Sequence, residues 1–212
     1  MSQFLSLYGE RLLAAFFTHF VYVAVSVSIA FLIALLLGVM LSRAPKLAGF
    51  MIPLMSVFQT IPGIVFIGIL FLYFGMRPIT VITALSIYAI FPILKNTYVG
   101  LVEVPIQYIE AAKGCGMSSV QILRRVEIPL ALPSIISGLR MSAVYTVNWA
   151  VLAAMIGLGG LGELIFAGIN SNNNTLILAG ALPAALLAII LSQSIDFVRK
   201  LAIPKQIRRD MQ

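Results

Sequence analysis

A polar segment that reads EAAKGCGMSSVQILRRVEIPLALP runs from Glu110 to Pro133. It interrupts an apolar chain: 61% of the 212 residues are hydrophobic, 10% are charged, and the mean hydropathy is +1.06. Soluble domains are about 45–50% apolar and about 25% charged, so most of this chain is expected to lie in lipid. The interruption carries three basic residues, two acidic residues and the single cysteine. It is therefore expected to be a water-facing segment between membrane spans.

The apolar runs predict an all-α membrane protein with five transmembrane helices. A bilayer core of about 30 Å requires about 20 apolar residues in a helix. We predict one transmembrane domain over residues 1–212, with a polar loop at about 103–130 and spans at about 20–41, 49–74, 78–100, 136–157 and 175–197. The second span contains Gln59-Thr60-Ile61-Pro62-Gly63. Because proline removes a hydrogen-bond donor, that span is expected to break, with the break facing protein or a cavity.

Local signals predict two short helices inside the polar segment. Gln107–Lys113 forms a first helix that Gly114 and Gly116 end, because glycine readily adopts the left-handed conformation that closes helices. Ser118, with a glutamine three residues later, forms an S-x-x-Q capping box. That signal predicts a second helix over Ser119–Arg125, so the segment is predicted to be a compact helix–turn–helix.

The basic residues orient the chain in the membrane. If the polar segment is cytoplasmic, twelve of the fourteen basic residues lie on the cytoplasmic side, and only Arg11 and Arg77 lie outside. This excess follows the positive-inside rule and predicts an outside N-terminus and a cytoplasmic C-terminus. The net charge of +7 is then explained by topology and anionic lipid, and no nucleic-acid partner is expected. The twelve are Arg43, Lys46, Lys95, Lys113, Arg124, Arg125, Arg140, Arg199, Lys200, Lys205, Arg208 and Arg209.

The reactive residues argue against an enzyme. The sequence has no phosphate-binding loop, HExxH or GxSxG pattern. Cys115 and His19 are the single residues of their types, which excludes an internal disulfide and a thiolate metal cluster. We therefore predict no catalytic residue, no metal site and no cofactor in this chain. His19 is interpreted as a packing or interfacial residue, and Asp196 is expected to pair with Arg199 or Lys200.

The polar segment resembles the signature loop of binding-protein-dependent ABC importer permeases, written EAA, three residues, G, nine residues, I-x-L-P. Here Glu110-Ala111-Ala112 is followed three residues later by Gly116, and nine more residues lead to Val126-Glu127-Ile128-Pro129. Valine and isoleucine stand where the family pattern has isoleucine and leucine. The predicted span count and the position of the loop between spans three and four also fit that family.

This resemblance implies that the segment is a coupling helix that fits a cleft on a cytoplasmic ATPase subunit, which alone would hold ATP and Mg. It also implies a bacterial inner-membrane location, an extracytoplasmic substrate-binding protein, and a second permease copy or a related permease. Membrane lipid surrounds the spans. The expected coupling residues are Glu110, Ala111, Ala112, Gly114, Gly116, Ser118, Arg124 and Pro129.

Three further stretches resemble the osmoprotectant branch, which imports glycine betaine, carnitine, choline or related quaternary amines by alternating access. They are QTIPG (Gln59–Gly63), YAIFPILKNTYVGL (Tyr88–Leu101) and NWAVLAAMIGLGGLGELIF (Asn148–Phe166). A methionine or other small-solute permease stays open as the alternative, because methionine permeases share the length, the span count and the G-x-G-G-L-G loop. An intramembrane enzyme is the alternative from another functional class, but the spans contain no pair of catalytic acids and no serine–histidine or metal set. A purely structural scaffold, which predicts no ATPase partner, is the third interpretation.

A quaternary ammonium ion favours aromatic faces, so polar and aromatic residues of spans three and four are candidates for the translocation path. Packing or interfacial roles are the alternative for each aromatic residue. Lys95 is expected to snorkel to the inner interface rather than line the path. The loop Gly157–Asn174 is expected to form the outer gate or a binding-protein contact through Gly159, Gly160 and Glu163, or else a plain connector. The path candidates are Tyr88, Asn96, Tyr145, Asn148, Trp149 and Met155.

Overall fold

The computed structural model describes residues 2–202, with side chains described for residues 8–202. Helices account for its regular structure and no strand occurs in that range, which confirms the all-α prediction. Three basic residues of the charge tally, Lys205, Arg208 and Arg209, lie outside the described residues. The α-helices are α1 (Ser2–Ser42), α2 (Pro45–Phe58), α3 (Gly63–Phe74), α4 (Pro78–Val102), α5 (Ile106–Gly114), α6 (Ser119–Ile122), α7 (Ile128–Ala150), α8 (Leu161–Asn170) and α9 (Asn174–Ala202).

Four stretches of helix in the described range are long and apolar enough to cross a membrane. They are Tyr8–Ser42, Pro78–Val102, Ser119–Ile156 and Asn174–Ala202. Helices α2 and α3 pass the same test together, but they are bent by 92° at their junction. If the bent pair counts as one span, the described chain has up to the five spans that the sequence predicts.

The bend falls at Gln59–Pro62, the cluster that predicted it. The amide Nε2 of Gln59 donates a hydrogen bond to the carbonyl of Tyr88 at 2.9 Å. In return, the Tyr88 hydroxyl donates to the carbonyl of Ile61 at 2.6 Å. Irregular backbone at membrane depth is tolerated only where protein or water satisfies it. These two bonds fasten the bend to α4.

Helix α4 is central in the bundle and packs between α1 and α7. Glycine residues let α1 and α7 approach α4 closely. A Cβ atom on Gly38 of α1 would lie 2.6 Å from Cγ2 of Thr97, and one on Gly138 of α7 would lie 2.7 Å from Cβ of Asn96. In lipid, where the solvent is as apolar as the side chains, helices associate largely through such close packing.

The helix that contains the predicted fourth span begins earlier in the chain than that span. We predicted a separate loop helix over Ser119–Arg125 and a span at about 136–157. Instead the helix continues from Ser119 to Ile156 through a π-helical turn, Leu123–Glu127, then α7 and a 3-10 turn, Val151–Ile156. Pro129 lies in the first turn of α7, directly after the π-helical turn. Proline cannot donate the i→i−4 bond, and the wider π-helical turn lets the helix continue past it.

Candidate functional site

The polar segment begins with α5, which ends in a turn that only glycine adopts easily. The amide of Met117 donates to the carbonyl of Ala112 at 3.1 Å, and that of Gly116 donates to the carbonyl of Lys113 at 2.9 Å. These are the two hydrogen bonds of a Schellman motif. Gly116 has a φ of +76°, in the left-handed region, whereas the other glycine of the predicted corner is the last helical residue.

Ser118 caps the next helix as the sequence predicts. Its amide donates to Oε1 of Gln121 at 2.8 Å, and its hydroxyl oxygen accepts from the amide of Gln121 at 3.4 Å. This reciprocal capping box satisfies two amide groups that would otherwise lack helical partners. Helix α5, the glycine turn and α6 therefore form one ordered unit, which we call the loop unit (residues 106–122).

Most of the predicted coupling residues are accessible on this protomer. The exposed ones are Glu110, Ala111, Gly114, Gly116, Ser118 and Arg124. Ala112 is buried and Pro129 is partly buried at the start of α7. Three large apolar side chains, those of Ile106, Tyr108 and Val120, are also exposed on the loop unit. The unit thus presents a mixed polar and apolar surface.

A buried carboxylate joins this region to the first span. Glu127 is 3% exposed, and both of its oxygens accept hydrogen bonds from the guanidinium of Arg43. Nη1 of Arg43 lies 3.1 Å from Oε1, and Nη2 forms an ion pair with Oε2. Such bidentate pairs are strong and directional. Because Arg43 follows α1 and precedes α2, the ion pair connects the first span, the bent pair and the helix that leaves the loop unit.

Two of the aromatic residues that are predicted to line the path lie next to the bend between α2 and α3. The rings of Tyr88 and Trp149 stack with centroids 5.0 Å apart and an angle of 23° between their planes. Phe66 meets Tyr88 edge-on at 5.4 Å, and Phe58 lies 6.3 Å from it. Tyr88 is buried and its hydroxyl already binds the carbonyl of Ile61. This aromatic cluster supports the bend, and its two path candidates are not among the residues that line the groove of Asn96 and Tyr145.

Two other path candidates, Asn96 and Tyr145, lie on one groove between α4 and α7. The groove has a volume of about 450 Å³ and also contains Lys95, which the sequence assigned to the membrane interface. Asn148 and Met155 are exposed farther along the same helical stretch and do not line it. The complete lining is Gln59, Phe91, Pro92, Lys95, Asn96, Val99, Met141 and Tyr145.

The predicted outer gate lies in a glycine-rich turn before α8. Gly157, Gly159 and Gly160 have φ values of +75°, +75° and +84°, so this backbone path favours glycine at each position. Glu163 follows in the first turn of α8 and forms an ion pair with Arg11 of α1 at 2.6 Å. The side chains are 49% and 45% exposed, so water screens the pair and leaves the carboxylate reachable from outside.

His19 of α1 packs against this glycine turn. It is fully buried, and its Nε2 is 3.1 Å from the carbonyl oxygen of Val147. Its Nδ1 lies next to Gly160, where a Cβ atom would come within 3.3 Å. Tyr22, one helical turn along α1, donates to the carbonyl of Leu158 at 3.1 Å. His19 therefore packs inside the protein, and α1 positions the turn.

Sequence reasoning missed the ion pairs between distant helices. The carboxylate of Asp196 accepts hydrogen bonds from Nη1 of Arg140 at 3.0 and 3.3 Å, which joins α7 to α9. The expected partners, Arg199 and Lys200, lie on its own helix. Arg43 and Glu127 were likewise not paired, because they are 84 residues apart and no local spacing relates them.

The chain resembles known transport proteins over nearly its whole length. Residues 30–208 match the family described as "Binding-protein-dependent transport system inner membrane component". The carnitine transport permease protein OpuCB of Listeria monocytogenes is 38% identical over 200 residues, which cover 94% of this chain and 92% of that protein. The choline transport system permease protein OpuBB of Bacillus subtilis (strain 168) is 38% identical over 210 residues, or 99% and 95% of the two chains.

Two other similarities are informative. The osmoprotectant import permease protein OsmW of Salmonella typhimurium is 36% identical over 197 residues, which cover 91% of this chain and 92% of that protein. Among solved structures, a chain of the inward-facing MetNI methionine ABC transporter superposes with a TM-score of 0.82. It covers 91% of this chain and 96% of its own length at 21% identity. At that identity the likeness concerns the fold alone.

Proposed function

The chain belongs to the family of binding-protein-dependent transport system inner membrane components, and we propose that it is the transmembrane subunit of an ATP-driven osmoprotectant importer. It is a transport subunit rather than an enzyme. Its cargo would be glycine betaine, carnitine, choline or a related quaternary amine, taken up at high osmolarity by alternating access.

One observation carries this proposal: relatives named for carnitine, choline and osmoprotectant transport are 36–38% identical over more than nine-tenths of this chain. The methionine transporter shares the fold, but its 21% identity carries no argument about cargo. Methionine or another small solute is therefore the alternative cargo that an uptake experiment has to exclude.

The loop unit is proposed to transmit the movement of the ATPase. Its exposed residues, with Ala112 and Pro129 shaping the fold around them, would enter a cleft on a cytoplasmic ATPase that binds ATP and Mg. The Schellman turn and the capping box make the unit stiff, so a push on it moves α7 rather than deforming the loop. The Arg43–Glu127 pair passes that movement to α1 and the bent pair.

The remaining partners follow from this placement. We propose that residues 1–212 form one permease domain in the inner membrane, with the N-terminus outside and the C-terminus in the cytoplasm. Gly159, Gly160 and Glu163 would then face an extracytoplasmic substrate-binding protein or form the outer gate. A second copy, or a related permease, would close the path. Its candidates stay Tyr88, Asn96, Tyr145, Asn148, Trp149 and Met155, of which Asn96 and Tyr145 share the groove.

The proposal is tested in bacteria that lack their own osmoprotectant importers and express this chain with its ATPase and binding protein. At high osmolarity, labelled glycine betaine, carnitine or choline is expected to accumulate, and labelled methionine is not. A chain with Gly116→Pro serves as the uncoupled control, since proline cannot adopt the left-handed turn. Accumulation of methionine alone would replace the proposed cargo with the alternative.

A further inference from the structure

Lys95 is a charged residue of α4, one of the helices that are long and apolar enough to cross a membrane. It lies seven residues (102 − 95) before the end of α4, Pro78–Val102, which is about 10 Å along the axis at 1.5 Å per residue. Its side chain is exposed and faces the groove between α4 and α7. Charged residues inside membrane helices are costly and usually pair with another group or serve a function.

Lys95 has no acidic partner within the described chain. The ion pairs found among residues 8–202 join Arg11 to Glu163, Arg43 to Glu127, and Arg140 to Asp196. The ammonium group lies over the ring of Phe91, whose centroid is 6.0 Å from Nζ. The groove therefore contains one positive charge that no carboxylate of the described protomer neutralises.

The other residues that line the groove are neutral: two carry amides, two carry aromatic rings, and Pro92, Val99 and Met141 are apolar. Gln59 and Asn96 bring side-chain amides, whose Nε2 and Nδ2 atoms already donate to backbone carbonyls at 2.9 and 2.8 Å. Phe91 and Tyr145 bring aromatic rings, and Tyr145 is 48% exposed. The volume of about 450 Å³ lies within the usual range of small-molecule sites, about 300–1,000 Å³.

This combination suits a zwitterion with a carboxylate at one end and a quaternary ammonium at the other. The ammonium end has no N–H donor and is attracted to an aromatic face, here that of Tyr145. The carboxylate end would neutralise Lys95. A quaternary ammonium alcohol such as choline would find the same aromatic face but would be repelled by the lysine, with nothing to compensate.

We propose that the groove is a solute subsite in which Lys95 binds the carboxylate of a zwitterionic quaternary amine. The permease then favours carboxylate-bearing solutes such as glycine betaine over choline, in addition to any selection by the binding protein. This inference rests on the proposed osmoprotectant function and adds to it a residue that determines specificity.

The test measures maximal uptake of labelled glycine betaine and choline by the complete transporter in proteoliposomes. Each solute is added at a concentration that saturates the binding protein, and the binding protein is in excess. The affinity of the binding protein for the solute therefore does not affect the measured uptake. Lys95→Met is expected to lower the ratio of glycine betaine to choline uptake by about fivefold, as expected for loss of one partly exposed ion pair. Lys95→Arg is expected to keep the ratio near that of the unmodified protein.

Two further variants isolate the role of the charge. Lys46→Met removes an exposed lysine at the start of α2 and is expected to leave the ratio unchanged. Tyr145→Leu is expected to slow both solutes to a similar extent. The amount of permease in the membrane is measured for each variant, and Lys95→Gln replaces the methionine variant if the latter does not assemble.

The outcomes separate the subsite from the function on which it rests. Suppose that the Lys95→Met permease inserts normally but slows the uptake of both solutes equally, or of neither. Lys95 then belongs to the membrane interface, and the proposed subsite is wrong. An unmodified transporter that carries choline but no zwitterion overturns it as well. If the unmodified transporter carries carboxylate-bearing solutes alone, Lys95→Met is expected to acquire choline uptake. A transporter that moves no quaternary amine refutes the proposed function and the subsite with it.

Discussion

Replacing Arg43 with alanine removes the partner of the buried Glu127 carboxylate. The Arg43 side chain is 51% exposed and that of Glu127 only 4%, so the cost of the change arises almost entirely at the glutamate. Breaking a buried ion pair by removing one partner costs about 3–5 kcal/mol. We expect the lower end, about 3 kcal/mol, because water reaches the guanidinium side of the pair. For a chain of this size, that loss lowers the unfolding temperature by about 6–12 °C.

Removing the charge of Glu127 instead is expected to cost less stability. Glu127→Gln leaves no buried charge, and the half-exposed Arg43 then turns to water, so the cost is about 1 kcal/mol. The double variant is expected to be more stable than Arg43→Ala alone, because an uncharged amide replaces the unpaired carboxylate. Lys46→Ala, an exposed cation three residues along the chain, is the matched control and is expected to change stability by less than about 0.5 kcal/mol.

The assay is thermal unfolding of the purified transporter, followed together with ATPase activity stimulated by the loaded binding protein. If Arg43→Ala unfolds at the temperature of the Lys46→Ala control, the ion pair does not stabilise the protein. If the effects of Arg43→Ala and Glu127→Gln simply add in the double variant, the two groups do not form a buried pair, since paired groups must couple.

Further predictions concern glycines with matched controls. Gly116→Ala is expected to cost about 1–2 kcal/mol through its φ of +76° and to reduce co-purification of the ATPase. Gly49→Ala, within α2 and with nothing within 4 Å, lies outside the loop unit and is expected to retain it; equal retention by both variants would contradict the turn. Gly63→Ala would collide with Trp149, the single tryptophan, and is expected to shift its fluorescence emission. Gly68→Ala, open on the same helix, is expected to leave the emission unchanged, and a shift in it would contradict the packing.

Features set by neighbouring residues were predictable from the sequence. The glycine turn at Gly116, the capping box at Ser118 and the bend at Gln59–Pro62 all occur where the local signals place them. Each depends on backbone freedom or on a hydrogen bond a few residues away. Short-range chemistry of this kind is present in the chain before any tertiary contact forms.

Features set by packing were not predictable in the same way. The Arg43–Glu127 pair bridges 84 residues and the Arg140–Asp196 pair bridges 56, and neither separation has a local signature. The sequence predicts a polar loop that ends at about residue 130, but the helix already continues past Pro129 directly after a π-helical turn.

The position of Lys95 shows a second limit of sequence reasoning. Seven residues from a helix end, a lysine is as compatible with the membrane interface as with a groove, because its long side chain can reach either. Only the packing of α4 against α7 places it on the same groove as Tyr145 of α7. Packing also separates the path candidates Tyr88 and Trp149 from this groove, because their rings stack on each other next to the bend between α2 and α3.

The most direct measurement of the central claim is ATP-driven uptake by the purified transporter in proteoliposomes that contain this chain, its ATPase and its binding protein. Labelled glycine betaine or carnitine is expected to accumulate against its gradient only with ATP on the ATPase side and loaded binding protein on the other. Accumulation of methionine in place of any quaternary amine, or uptake that proceeds unchanged without ATP, would contradict the account.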